Sequence, residues 1–354
     1  MKVVIFTMQP AVAIPPRIRM ERQILEAAGH EVEICGAPYP KQKMPAFLKL
    51  LYYLTLSYFR WDLIYLYKAK TIKGDVAIVY DLSLLPLLKN LRKSYHRIIY
   101  ETLDNNVALT FFHLEQRFVW LHPFSDLIKN IVGNLEKKYI RKYADHLIVN
   151  SQYLDEILGS LVPTSVNIYA SPFEQYSLSK PISMGQNPAF LYLGIFSEDK
   201  GADTVLELQK QYELPLYIFG DKKFAVPDRP LVTWMDRMPL EQLYEELQII
   251  FKAHRLIGIS LIKSSNESYA NQEANKEADY LSLGIPFIGN QRRTTEEKIL
   301  AGCGCFIHES DKIKLLIEDS NYYTTTSENA KRYYQANLSA ERFSQQLLNA
   351  IQNP

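Results

Sequence analysis

The stretch Asn275–Gly289 reads NKEADYLSLGIPFIG. Asn275 is a residue type that caps helices, and the residues after it are helix formers with Ala278, Leu281 and Leu283 on one side. Gly284 stops that helix and Pro286 prevents its restart, so Phe287, Ile288 and Gly289 are expected to form a short buried strand. A capped helix feeding a buried strand is half of an α/β unit, and open α/β sheets bind ligands at such junctions.

The same alternation extends in both directions. Upstream, strands are expected at 2–7, 31–34, 75–81, 97–104 and 145–150, with helices at about 17–28 and 81–95 and a Ser151-capped helix after the last strand. A second series opens with a buried strand at Ala189 and a helix from Ala202, and continues with strands at 216–220, 231–235 and 256–262. Between the series, 163–188 is rich in Ser and Pro and has little periodicity, which is linker chemistry. These patterns predict an α/β protein of two Rossmann-like, doubly wound parallel-sheet domains facing a cleft. The expected boundaries are 1–165, a linker at 166–188, a second domain at 189–335 and a final helix at 336–354.

Composition agrees with a two-domain globular chain: 354 residues, 47% hydrophobic and 22% charged. Three cysteines cannot build a disulfide framework, which points to a reducing compartment. The opening MKVVIFTMQP is read as a strand rather than a signal peptide, so a cytoplasmic protein is expected. The net charge of +1 hides an asymmetry: 1–170 holds 21 Lys/Arg against 15 Asp/Glu, and 171–354 holds 19 against 24. A basic first half suits an anionic partner such as a phosphate-bearing lipid or an acidic membrane surface, although an imbalance of six carries no meaning by necessity. The aromatic run 44–67 is too short in its apolar part to span a bilayer. It reads either as an interfacial helix for peripheral membrane contact or as a helix packed on the sheet.

No G-x-G-x-x-G follows the first strand, so a nicotinamide or flavin fingerprint is missing. The histidines lack ligand spacing and Cys303-Gly-Cys305 has no second ligand pair, so no metal is implied. Lys200-Gly201 before a helix is an anion site by its chemistry: a point charge, free backbone N–H groups and the positive end of the helix dipole.

Several of these segments together resemble glycosyltransferase family 4, whose fold is GT-B. Asp279, five positions before Gly284 and seven before Pro286, occupies the place of the family's ribose-holding acid. Lys200 and Gly201 match its lysine-glycine pair, which grips the donor diphosphate. PPRIRMERQILEAAGHEVEI at 15–34 and the strand ending Tyr100-Glu101-Thr102-Leu103-Asp104 are similar to its first-domain segments. Three positions depart from the pattern: Ile195 stands where the family has arginine, Leu103 where it has histidine, and Asn271 where it has glutamate.

The resemblance implies transfer of a sugar from a nucleotide-diphosphate-sugar donor to a glycan or lipid-linked acceptor, with retention, in cell-surface polysaccharide or glycan synthesis. It implies no metal, no cofactor beyond the donor substrate, and no nucleic-acid partner. It also implies that the final helix, 336–354, packs back on the first domain. By the same resemblance the catalytic candidates are Asp104, Glu101 and Lys200. Donor contacts fall to Lys200, Gly201, Asn271, Asn275 and Asp279. Arg17 and Arg19 would hold an anionic acceptor, or stand as two solvated cations. The departures leave open a different class, a catalytically silent GT-B protein that partners an active transferase.

Overall fold

In a computed structural model the described residues are all but 11–13, 40–42, 71, 118, 180–184, 227–229, 264–269, 272 and 353–354. The chain divides into two compact units, one containing Met1–Ile168 together with Phe343 onward, the other running from Tyr169 to Arg342.

The first unit has six parallel strands: β1 (Lys2–Pro10), β2 (Glu31–Ala37), β3 (Val76–Tyr80), β4 (Arg97–Thr102), β5 (His146–Val149) and β6 (Thr164–Val166). Their spatial order is β2-β1-β3-β4-β5-β6. Because β2 lies on one side of β1 and all later strands step away on the other, right-handed crossovers send Pro16–Ala27 to one sheet face. Ala46–Leu54, Trp61–Ala69, Asn106–Arg117 and Ser125–Tyr143 go to the opposite face. On that face Phe6, Val79, Tyr100 and Val149 pack with Leu63, Phe111 and Ile140 as one buried core. Burial of continuous apolar strands on both faces is what a parallel sheet requires.

The second unit repeats the design with β7 (Asn187–Leu193), β8 (Leu216–Phe219), β9 (Val232–Met235), β10 (His254–Ser260), β11 (Phe287–Gly289) and β12 (Gly304–Phe306). The order is β12-β11-β10-β7-β8-β9, all parallel. Phe190, Tyr192, Ile218, Ile259 and Ile288 meet Val205, Leu208 and Leu316 in its core.

Local differences from the sequence reading have physical causes. The expected helix over 81–95 is a 3₁₀ segment, Leu82–Leu87, followed by a single α-turn, Leu88–Leu91, because Pro86 cannot donate to the ladder. Asn275 does not cap its helix: Ala274 holds the cap position and no side chain bonds the first turn. Ser151 does cap, accepting from the Leu154 N–H at 3.3 Å. Within 163–188 the structure has strand β6 and a helix, Glu174–Ser179, where periodicity gave neither. The helical tail breaks at Leu338 and also at Asp319, whose carboxylate accepts from the N–H groups of Asn321 and Tyr322.

The 44–67 run is two helices, Ala46–Leu54 and Trp61–Ala69. Among the described residues no helix is long and apolar enough to cross a membrane. All three cysteines are buried and unpaired. Burial pushes the thiols of Cys303 and Cys305 up to about 12, which makes them apolar packing groups.

Candidate functional site

In the second unit the strand order reverses between β7 and β10, and a crevice at such a reversal, outside the carboxyl ends of the strands, is where open α/β sheets take ligands. A cavity of about 300 Å³ lies there. Its lining includes Gly194, Ile195 and Lys200 from the segment after β7, and Asn275, Lys276 and Asp279 from the helix Asn275–Leu283. Lys200 and Asp279, 79 positions apart by their numbering, thus reach the same cavity.

The local sequence explains this convergence. Gly201 ends the short turn Glu198–Lys200 and starts the helix Ala202–Tyr212 at φ 72°, a left-handed conformation that favours glycine. A Cβ there would lie 2.7 Å from Leu261 Cβ, so the turn can press against the strand end only without a side chain. Across the cavity Tyr280 ties its helix to both central strands: its hydroxyl accepts from the Leu193 N–H at 3.1 Å and lies 3.2 Å from the carbonyls of Leu191 and Ile259.

Below the helix start, Glu277 is fully buried and anchors a charged network. Its Oε1 accepts from Ser260 Oγ and Thr295 Oγ1, each at 2.8 Å, and from Arg292; its Oε2 accepts from Lys298 Nζ at 2.9 Å. Burial opposes ionisation, but Lys298 and Arg292 overcome it and hold the carboxyl down at about 2.

Asp279 has the reverse environment. Burial raises its carboxyl to about 7 against the stabilising Ser171 hydroxyl, which donates to Oδ1 at 2.8 Å. Lys276 is lowered to about 7, first by burial and then by Lys200 and Arg292. Its Nζ sits 4.0 Å from the centre of the Tyr192 ring, within cation–π range. A carboxyl and an amine that both change charge near neutrality line one cavity, the kind of perturbation that gathers at functional sites.

Asn275 is exposed at the cavity and Gly201 begins the helix next to Lys200. Asn271 is half-buried and is not among the described lining residues. The polar segment 264–269 before it, including Glu267, and residue 272 after it lie outside the described residues.

The first-unit candidates separate. Arg17 is buried, its Nε 2.6 Å from Glu101 Oε1 and 3.3 Å from Glu21 Oε1, with its guanidinium 5.0 Å over the Phe343 ring. The Tyr80 hydroxyl donates to Glu21, whose carboxyl burial raises well above the usual range, with Glu101 adding to the rise. Arg19 is exposed and its Nε donates to the Ile14 carbonyl at 2.9 Å. Asp104 follows β4, where its carbonyl accepts from Thr102 Oγ1 at 3.0 Å. Beside it Asp81 takes φ 63°, rare for a residue with a side chain, and burial followed by Asp104 raises its carboxyl to about 7.

Neither a family model nor a curated relative matches the sequence. Solved structures match its fold along the whole chain. HepE from Anabaena, solved with UDP-glucose, has a TM-score of 0.58 at 12% identity, with 100% of both chains covered. A trehalose-6-phosphate synthase, solved with bisubstrate glycomimetics in work on glycosyltransfer with retention, has a TM-score of 0.63 at 10% identity over 99% of each chain. AviGT4, a glycosyltransferase of avilamycin A biosynthesis, has 0.51 at 12% identity, covering 100% of this chain and 98% of its own. The chain has the GT-B fold.

Within that GT-B fold, the residues the sequence reading passed over are Lys276, the Glu277–Lys298–Arg292 network and Asp81. Lys276 and Glu277 sat in plain view as adjacent opposite charges in the first turn of the helix Asn275–Leu283. Asp81 gave only one local signal, an acid closing an apolar strand. Among the described residues no cluster of His, Cys, Asp or Glu could hold a metal ion.

Proposed function

We propose that this chain is a glycosyltransferase that moves a sugar from a nucleotide-diphosphate-sugar donor to an acceptor, with retention and without a metal, in cell-surface polysaccharide or glycan synthesis. The observation that carries this reading is the convergence of Lys200, Asp279 and the start of the Asn275–Leu283 helix on one cavity at the reversal of the sheet. A diphosphate is a good leaving group, so the protein's work is to neutralise the charge that grows on it and to orient the acceptor hydroxyl. Lys200 and the helix N-terminus would neutralise it, Asp279 would accept hydrogen bonds from the ribose, and Asn271 would contact the sugar. In the transfer the acceptor oxygen bonds the anomeric carbon, the bond to the departing phosphate breaks, and the hydroxyl proton goes to that phosphate. Acceptor contacts fall to Asp104 and Arg19 rather than Glu101 and Arg17, since the latter two neutralise each other in a buried pair.

A panel of nucleotide sugars, assayed for thermal stabilisation and hydrolysis, tests the reading. A nucleoside diphosphate should bind, and Lys200→Ala should weaken it by about 10- to 100-fold, the effect of losing one charge-assisted contact. A second reading, a catalytically silent partner protein, is favoured by Ile195, Leu103 and Asn271. Binding without turnover of any donor in the presence of acceptor extracts would support it.

We further propose peripheral contact with an anionic bilayer through the Ala46–Leu54 and Trp61–Ala69 helices. Phe47, Leu50, Tyr53 and Leu54 are exposed on one side of the first helix while Leu48 and Tyr52 are buried on the other. Tyr65, also exposed, meets Phe47 with ring centres 6.4 Å apart. Lys43, Lys68, Lys70 and Lys73 are exposed in the same run, whose sole acid up to residue 74, Asp62, is buried against Arg60. Apolar side chains with flanking lysines suit an acidic lipid surface. Cosedimentation should occur with vesicles containing phosphatidylglycerol, fall with salt, and be lost in Phe47→Ser/Leu50→Ser; equal binding to neutral vesicles, or none to either, defeats the proposal.

A further inference from the structure

Lys276 is the second residue of its helix, and its Nζ is out of contact with solvent without a hydrogen-bond acceptor among the described residues. Every nearby acid with a defined partner is engaged elsewhere: Glu277 by Lys298 and Arg292, Glu273 by Lys298, Asp199 by the Ser197 hydroxyl, and Asp279 by Ser171. The cations Lys200 and Arg292 oppose its charge and outweigh the opposite fields of Glu277 and Asp199. A buried ammonium with no partner is expensive to keep, and the Tyr192 ring offsets only part of that cost. The cavity lining it shares includes Ile195, an apolar side chain.

Resting on the donor reading above, we propose that Lys276 is a second anion-binding cation of this cavity, taking up a proton as the donor's diphosphate enters and clamping it together with Lys200. In the empty site the amine is only about half charged at pH 7, which reduces the cost of the unpartnered charge. An entering diphosphate supplies the missing acceptors and the opposite charge, which raises the affinity of the amine for a proton. Ligand binding and protonation are then reciprocal. With the free amine titrating at about 7, binding at pH 7 should draw in about half a proton, and nearly a whole one at pH 8.

Calorimetry with uridine, adenosine, guanosine and thymidine diphosphates and with inorganic pyrophosphate, in buffers of different ionisation enthalpy, reads the proton uptake directly. Lys276→Met keeps the length and removes the charge. The expected result is an empty variant that melts at or above the wild-type temperature, diphosphate and pyrophosphate affinities lower by about 10- to 100-fold, and no uptake in the pH 7–8 range. Wild-type protein that binds a diphosphate without taking up a proton, or a Met variant that binds it equally well, overturns the role of Lys276 and leaves the donor reading standing. A wild-type protein that binds none of these anions overturns both.

Discussion

The Ser171 hydroxyl donates to Asp279 Oδ1 at 2.8 Å, so a residue just past the boundary of the first unit aims the acid of the cavity. This bond favours the carboxylate, yet burial outweighs it and the group titrates near 7.

That balance fixes a pH dependence. The native acid holds its proton more tightly than the unfolded chain does, so its contribution to stability is full below about 4 and is lost as pH rises through about 7. Urea denaturation of Asp279→Asn should therefore lack part of the wild-type decline between pH 4 and 7. An unchanged decline would remove Asp279 from the account. On the ligand side, Asp279→Ala should weaken nucleoside diphosphates by about tenfold and leave pyrophosphate unaffected, because its expected contact is the ribose.

Glu277 shows the opposite sign. Its depressed carboxyl contributes stability above the unfolded value and loses it as pH falls toward about 2. Glu277→Gln leaves Lys298 and Arg292 underpaired in a buried site, a loss of about 3–5 kcal/mol by chemical denaturation. A loss under about 1 kcal/mol would mean the network is not the anchor of this helix.

The two arginines of the first helix should behave differently. Arg17→Met breaks a buried ion pair with Glu101 and should cost about 3 kcal/mol. Arg19→Ala, at an exposed position, should stay within about 0.5 kcal/mol of wild type. Equal effects in urea titrations would contradict the separation of the two.

Gly258 is a packing requirement. A Cβ there would come within 2.6 Å of the Tyr280 ring, which spans the carboxyl ends of β7 and β10. Gly258→Ala should destabilise by about 1–3 kcal/mol and weaken diphosphate binding through the displaced helix. Wild-type melting in this variant would show that the ring yields without cost.

The site was partly legible from local chemistry. Asp279 is picked out by its place in a family pattern, whereas Lys200-Gly201 could be singled out because a cation, a glycine turn and a helix start carry their meaning within a few residues. Lys276 could not, because its peculiarity is a missing partner, and that is decided by which acids its neighbours have already engaged. Arg17 beside a proline looked like a surface cation, since nothing local announces that Glu101, 84 positions later, will bury it.

The sequence by itself determined the alternation of strands and helices, the two series of them and the glycine stops, because hydrophobic period and turn chemistry act over a few residues. Only the tertiary structure decided the strand order, the cavity at its reversal and the charge states of Lys276, Glu277 and Asp279. Those depend on desolvation and on partners distant in the chain, and both come into being only when the chain packs.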